Sequence, residues 1–428
     1  MKLTQLLGAV FGFLVAIGVA SGQEQRGADA ATVKEQARAI VERARGLYEK
    51  CSTFKVKVEG VRIIRREGSA EAEENTYWTN DIEFARPGSI RVEDRLEING
   101  ANTRVAWGAS KETKELVQAA ALPEKEVAAW LRAQVWLHAV PDGVLRTVLG
   151  ENPAEFLFSQ VEEVVDVRTE VLGKEPVRVL VCRGERGLWK AKTSPVEIRL
   201  YFSEATGLLR EIAFEDAAAQ RVQDQLKGSV APRILEASDR VRFTGQELNV
   251  PIQDERFEAP EGYRRVVLPS SPMGASVLMA IGKEALRPEM VVKLAGKPTV
   301  VLTSFMGMGV EFLPSMEWLH LAVQPAAQVL SGRPDAQAGV MYDAAKITHP
   351  STKASEFYAV AGISTQRYSP MLFLIDGKNH LQGVFTGYMP VYTLKLRELI
   401  QKMDADGGSV WMKETLETWG RGEVAEEK

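Results

Sequence analysis

Hydrophobic positions along this chain recur first at the helical interval and then at every second residue, and the switches between the two periods mark out its elements. Ala37, Ile40, Val41, Ala44 and Leu47 share one helical face. Thr32 stands where a side-chain oxygen caps a first turn, so a helix is expected over Thr32–Lys50, with polar Gln23–Ala31 as a linker ahead of it. Beyond Cys51 the period falls to two. Phe54, Val56 and Val58 alternate with Lys55, Lys57 and Glu59, the pattern of a strand wet on one face.

From there to about Tyr263 the pattern predicts antiparallel strands joined by turns. Ile82 and Phe84 precede an Arg86-Pro87-Gly88 turn, and Ile90 and Val92 resume after it. Asn99-Gly100 predicts a further hairpin turn. The stretch around Val164 fits no periodic helix, whereas Val167–Leu172, Gly173-Lys174 and Val177–Cys182 read as a hairpin. So do Val196–Phe202, Glu204-Ala205-Thr206-Gly207 and Leu208–Phe214. One helical insertion is expected where Val127, Trp130, Leu131 and Leu137 share a face ahead of Pro141-Asp142-Gly143. Phe257–Tyr263 closes this half, and Pro269–Gly274 reads as a linker. From Leu286 strands and helices alternate, which predicts a parallel or mixed sheet with helices on it. Glu414–Lys428 is a charged end.

With 428 residues, more than one core is expected. The net charge of −4 and dispersed basic residues exclude the concentrated positive face of a nucleic-acid binder. Lys2, the apolar run Leu6–Ala20 and small Ala20-Ser21-Gly22 form a signal segment, 1–22, with cleavage before Gln23 or retention as an anchor both open. Cys51 and Cys182 are the two cysteines, read either as a disulfide or as two buried thiols. His138, His320, His349 and His380 lack metal-ligand spacing, and no nucleophile elbow or phosphate-binding loop occurs. The carboxylates of Glu71–Glu74 and Glu162-Glu163 read as solvated surface.

Several spaced features of the last third belong together: Gly296-Lys297-Pro298, the apolar run Val300-Val301-Leu302, Ser304 to Gly309, and Pro314 in the helix that follows. Tyr368-Ser369-Pro370 then leads through Met371–Ile375 to Asp376-Gly377, with Gly383 and Gly387 beyond. This stretch resembles the TlpA-like branch of the thioredoxin superfamily. The resemblance implies a cis proline at Pro370 facing a redox dithiol on the strand–loop–helix. Here Met306 and Gly309 occupy the sulfur positions, and neither a thioether nor a hydrogen can exchange disulfides. Met306, Gly309 and Pro370 are therefore a vestigial loop, with some other α/β domain as the alternative.

The first half, with its helix running into Phe54-Lys55-Val56, the turn at Thr206-Gly207-Leu208 and the closing Phe257–Gly262, resembles the LolA/LolB-type lipoprotein carriers. That resemblance implies an unclosed barrel whose concave face shelters acyl chains. Phe84, Val92, Trp107, Trp130, Leu200 and Phe202 are the candidate ligand-binding residues, or else plain core. The expected fold class is α+β: an antiparallel half-barrel with covering helices over 32–265, a linker 266–285, an α/β thioredoxin-like domain 286–404 and a tail 405–428. The expected function is an exported, periplasmic or envelope-located binding protein for a lipid or lipoprotein acyl chain, without catalytic residues, cofactor or metal. Its second domain would dock another envelope protein. The alternatives are a thioredoxin-class oxidoreductase and a purely structural envelope protein.

Overall fold

The computed structural model describes residues 23–120, 126, 161–186, 194–215, 234–266, 283–284, 298–303, 313–323, 327–333, 351–353, 371–386, 394, 396–398 and 400–401. The signal segment, the insertion carrying Trp130, and Met306, Gly309 and Pro370 lie outside these residues.

Helix α1 runs over Gln23–Lys50, so the expected linker and the Thr32 cap are corrected. Ala28, Ala30 and Ala31 are strong helix formers and carry the helix back through that stretch. The strands that follow are β1 (Thr53–Arg66), β2 (Glu73–Ala85), β3 (Ser89–Glu93), β4 (Glu97–Ala101), β5 (Val105–Ser110) and β6 (Glu115–Ala120). After them come β7 (Val161–Leu172), β8 (Glu175–Arg186), β9 (Ser194–Ser203), β10 (Leu209–Glu215), β11 (Ile234–Leu248) and β12 (Arg264–Arg265). All twelve form one sheet in the order β12-β6-β5-β4-β3-β2-β1-β11-β10-β9-β8-β7. Its ladders are antiparallel except at β12, which runs parallel to β6.

The hairpins at Arg86-Pro87-Gly88, Gly173-Lys174 and Glu204–Gly207 form as the sequence predicts. Gly173 and Gly207 take φ of +64° and +78°, a region costly for residues with a Cβ. Asn99-Gly100 is corrected: it lies inside β4, and the turns fall on either side. Gly100 stands opposite Trp107 across the ladder, and a Cβ there would come within 2.3 Å of the indole. Close approach, not a turn, accounts for that glycine.

One face of the sheet, here called inner, is apolar across eleven strands, from Val117 and Ala119 on β6, through Phe54, Val56 and Val58 on β1, to Leu180 and Cys182 on β8 and Val164 and Val167 on β7. Helix α1 packs on its β11–β7 side through Ala37, Val41, Ala44 and Tyr48. The Tyr48 hydroxyl donates to Gln246 Oε1 at 2.7 Å and accepts the Leu209 N–H at 3.3 Å. Arg43 ties the helix to the β9–β10 turn by donating to the carbonyls of Glu204 and Ala205, each at 3.3 Å. These long-range bonds fix where the helix lies, whereas its apolar stripe fixes only which face turns inward.

A second, six-stranded sheet comprises β13 (Lys283–Glu284), β14 (Thr299–Thr303), β15 (Gln328–Arg333), β16 (Ser351–Lys353), β17 (Met371–Ile375) and β18 (His380–Thr386). Its order is β13-β18-β17-β14-β15-β16. The β14–β15 and β15–β16 pairs are parallel and the rest antiparallel, giving the mixed sheet expected. Helix α2 (Leu313–Val323) carries Pro314 at its second residue, where a missing N–H costs nothing. Asp376 caps the β17–β18 hairpin, its Oδ1 accepting the N–H groups of Lys378 at 2.9 Å and His380 at 2.8 Å. Arg397 donates to Glu126 at 3.0 Å, joining this part of the chain to the segment after β6.

Candidate functional site

Phe84 and Val92 project from β2 and β3, and Leu200 and Phe202 from β9, all into the inner-face cluster. Their period-two spacing put them there: each alternates with polar neighbours such as Glu83, Arg91, Arg199 and Ser203. Each is at most 5% exposed, so this wall is covered by protein and borders no open hollow at these positions.

Trp107 is a correction. It projects from the opposite, outer face with Ile98, Ala109 and Leu116. Along β5, Ala106 joins the inner cluster and Trp107 therefore points the other way. Its indole N–H donates to the Phe257 carbonyl at 3.1 Å, so the closing Phe257–Tyr263 segment is the lid of a small outer core. Elsewhere the outer face carries a second apolar cluster, Val177, Val179, Val181, Tyr201 and Ala213 on β8–β10, and a lattice of charges. Glu211, 1% exposed, accepts from Arg240 at 2.9 Å and Arg242 at 3.0 Å. Arg242 in turn bridges to Glu74, whose carboxyl is held below its usual range chiefly by that hydrogen bond.

Cross-strand register lays the inner face of β2–β6 out in rows. Phe84, Ile90, Ala101, Ala106 and Ala119 form an apolar row. In the next lie Ile82, Val92, Asn99, Gly108 and Val117. The third row is polar, with Glu97 opposite Ser110 and Ser110 opposite Glu115. Glu115 is neutralised by Arg264 and accepts from the Thr113 hydroxyl at 3.2 Å. Burial, reinforced by Asp94 and opposed by a hydrogen bond from Asn99, pushes the Glu97 carboxyl up to about 7. Sequence reading missed this row, although Glu97 and Asn99 keep the same period as the apolar residues.

Both thiols are free and buried. Cys51 precedes β1 and Cys182 lies on β8, with β11, β10 and β9 between those two strands in the sheet, and the two are not bonded to each other. Burial raises the Cys51 thiol and pushes Cys182 up to about 12, so both stay protonated at neutral pH. Among the described residues, no three His, Cys, Asp or Glu side chains are placed to hold a metal. No described helix is long and apolar enough to cross a membrane.

No family model matches the chain. No curated protein matches it either. Among solved structures it is similar to LprF from Mycobacterium bovis, at 9% identity and a TM-score of 0.28, over 54% of this chain and 99% of that one. It is also similar to the LolA superfamily protein NE2245 from Nitrosomonas europaea, at 12% identity and a TM-score of 0.21, over 52% of this chain and 97% of that one. A DsbF homologue from Corynebacterium diphtheriae matches at 16% identity and a TM-score of 0.22, over 27% of this chain and 75% of that one. Likenesses this distant bear on neither mechanism nor ligand.

Proposed function

We propose that this chain is an exported, non-catalytic carrier for an apolar ligand such as an acyl chain. A redox-inactive second domain would serve for docking in the envelope. The observation that carries the reading is the unclosed twelve-stranded sheet with one face apolar across eleven strands. Helix α1 is fastened over its β11–β7 side by the bonds of Tyr48 and Arg43. A flat helix-on-sheet core needs no such breadth, whereas an amphiphile's tail does. Because Phe84, Leu200 and Phe202 are buried, entry of a ligand requires the cover to part. Thiol exchange is disfavoured by the two protonated cysteines and by the lack of any cysteine after Cys182.

Delipidated full-length protein titrated with a dansyl-labelled fatty acid tests this. Saturable binding at micromolar concentration with a blue-shifted emission is expected, and no saturable signal overturns the proposal. The same side chains' near-complete burial favours a second reading, a purely structural envelope protein, and that reading predicts the null titration.

A further inference from the structure

The inner face is not uniformly apolar, and its polar part is built unlike a solvated rim. Asn99 is 6% exposed and sits among Val92, Gly108 and Val117, yet its Oδ1 has no hydrogen-bond partner. An amide oxygen buried without a donor costs about 1–3 kcal/mol. The Asn99 side chain donates to Glu97, which leaves the oxygen as the group without a use. Glu97 lies two residues back on the same face, and Gly108, directly opposite Asn99, contributes no side chain. The remaining charges around the pair are already engaged. Asp94 Oδ1 accepts the N–H groups of Leu96 and Glu97 at 2.6 and 2.7 Å, and Glu115 is held by Arg264. Two acceptors, Asn99 Oδ1 and the Glu97 carboxyl, thus stand at the edge of an apolar wall formed by Phe84, Ile90 and Ala101 one row away.

We infer that Asn99 and Glu97 form a head-group subsite for an amphiphile whose head donates hydrogen bonds, a neutral polyol such as a glycerol ester. The tail would lie along the apolar row. The inference rests on the carrier reading and names the chemistry it selects. A carboxylate head has no hydrogen to offer Asn99 Oδ1 and would leave it unpaired. An ester without hydroxyls would leave the Asn99 oxygen unpaired, and sites built to hydrogen-bond a hydroxyl reject analogues lacking it.

Calorimetric titration of the full-length chain with three ligands of one chain length tests this: monolaurin, methyl laurate and laurate. Monolaurin is expected to bind at least tenfold more tightly than the other two. Asn99→Ala should bring the monolaurin and methyl laurate affinities within about twofold by weakening monolaurin alone, with folding checked by thermal melting. The wild-type comparison stands even if that variant fails to fold. Equal binding of all three ligands overturns the subsite and leaves the carrier standing. Preference for laurate also overturns it. Binding of none overturns both.

Discussion

Adding one methyl group at Gly100 tests whether Trp107 belongs to an outer core or to a ligand wall. A Cβ there would lie 2.3 and 2.5 Å from two indole atoms, against an ordinary contact of about 3.4 Å or more. The ring must move by roughly 1 Å to clear it. Trp107 is 0% exposed, and its N–H is held at 3.1 Å by the Phe257 carbonyl, so any shift strains that bond. Overpacking costs about 1–3 kcal/mol, and a buried hydrogen bond lost outright adds about 1–3 more. Gly100→Ala should therefore destabilise by about 2–6 kcal/mol in urea unfolding. Gly46→Ala supplies the contrast, because it lies in helix α1 with nothing within 4 Å of the added carbon. That change should stabilise by about 0.5–1 kcal/mol. A Gly100→Ala cost below about 0.5 kcal/mol would refute the packing argument. Since Trp107 faces outward, folded Gly100→Ala protein should bind the dansyl fatty acid as wild type does.

The Glu97 carboxyl is raised in the folded state from 4.5 to about 7, so its stabilising contribution is complete below pH 4.5 and fades as pH rises through 7. At about 1.4 kcal/mol per pH unit the loss is at most about 3.5 kcal/mol, and Glu97→Gln should flatten the slope of urea midpoints between pH 5 and 8. Arg242→Ala strips Glu211 and Glu74 of a shared partner and should cost about 3 kcal/mol; a melting temperature unchanged within error would show the lattice to be idle. Native protein should leave both thiols unmodified by a disulfide reagent for hours and expose two on denaturation, and prompt labelling of either one would contradict the sealed sites.

Strand period was legible where a strand of the first sheet has one face wet. Phe54–Val58, Ile82 with Phe84, and Ile198–Phe202 announce their direction by alternation alone. Trp107 defeated the same logic because β5 is buried on both faces, from Ala106 to Ser110, so bulk no longer tells which way a side chain points. Asn99-Gly100 failed for a related reason. The pair is a turn signal locally, but tertiary contact with the indole decides its place. The extension of helix α1 was hidden by a polar composition whose alanines favour helix. Partners of the sheet's long-range order, such as β1 beside β11, have no local signal at all.

That last pairing has a kinetic consequence. Thr244 on β11 donates to the carbonyl of Lys57 on β1, and the two lie 187 residues apart in sequence. A chain emerging from its N-terminus can zip β1 to β2 early, but the other flank of β1 must wait for nearly the whole first half to arrive. Loop closure of that length makes late assembly slow. During the delay an open ladder carrying Phe54, Val56 and Val58 would be the natural place for a holdase to grip, and refolding should show its slowest phase in probes on β11.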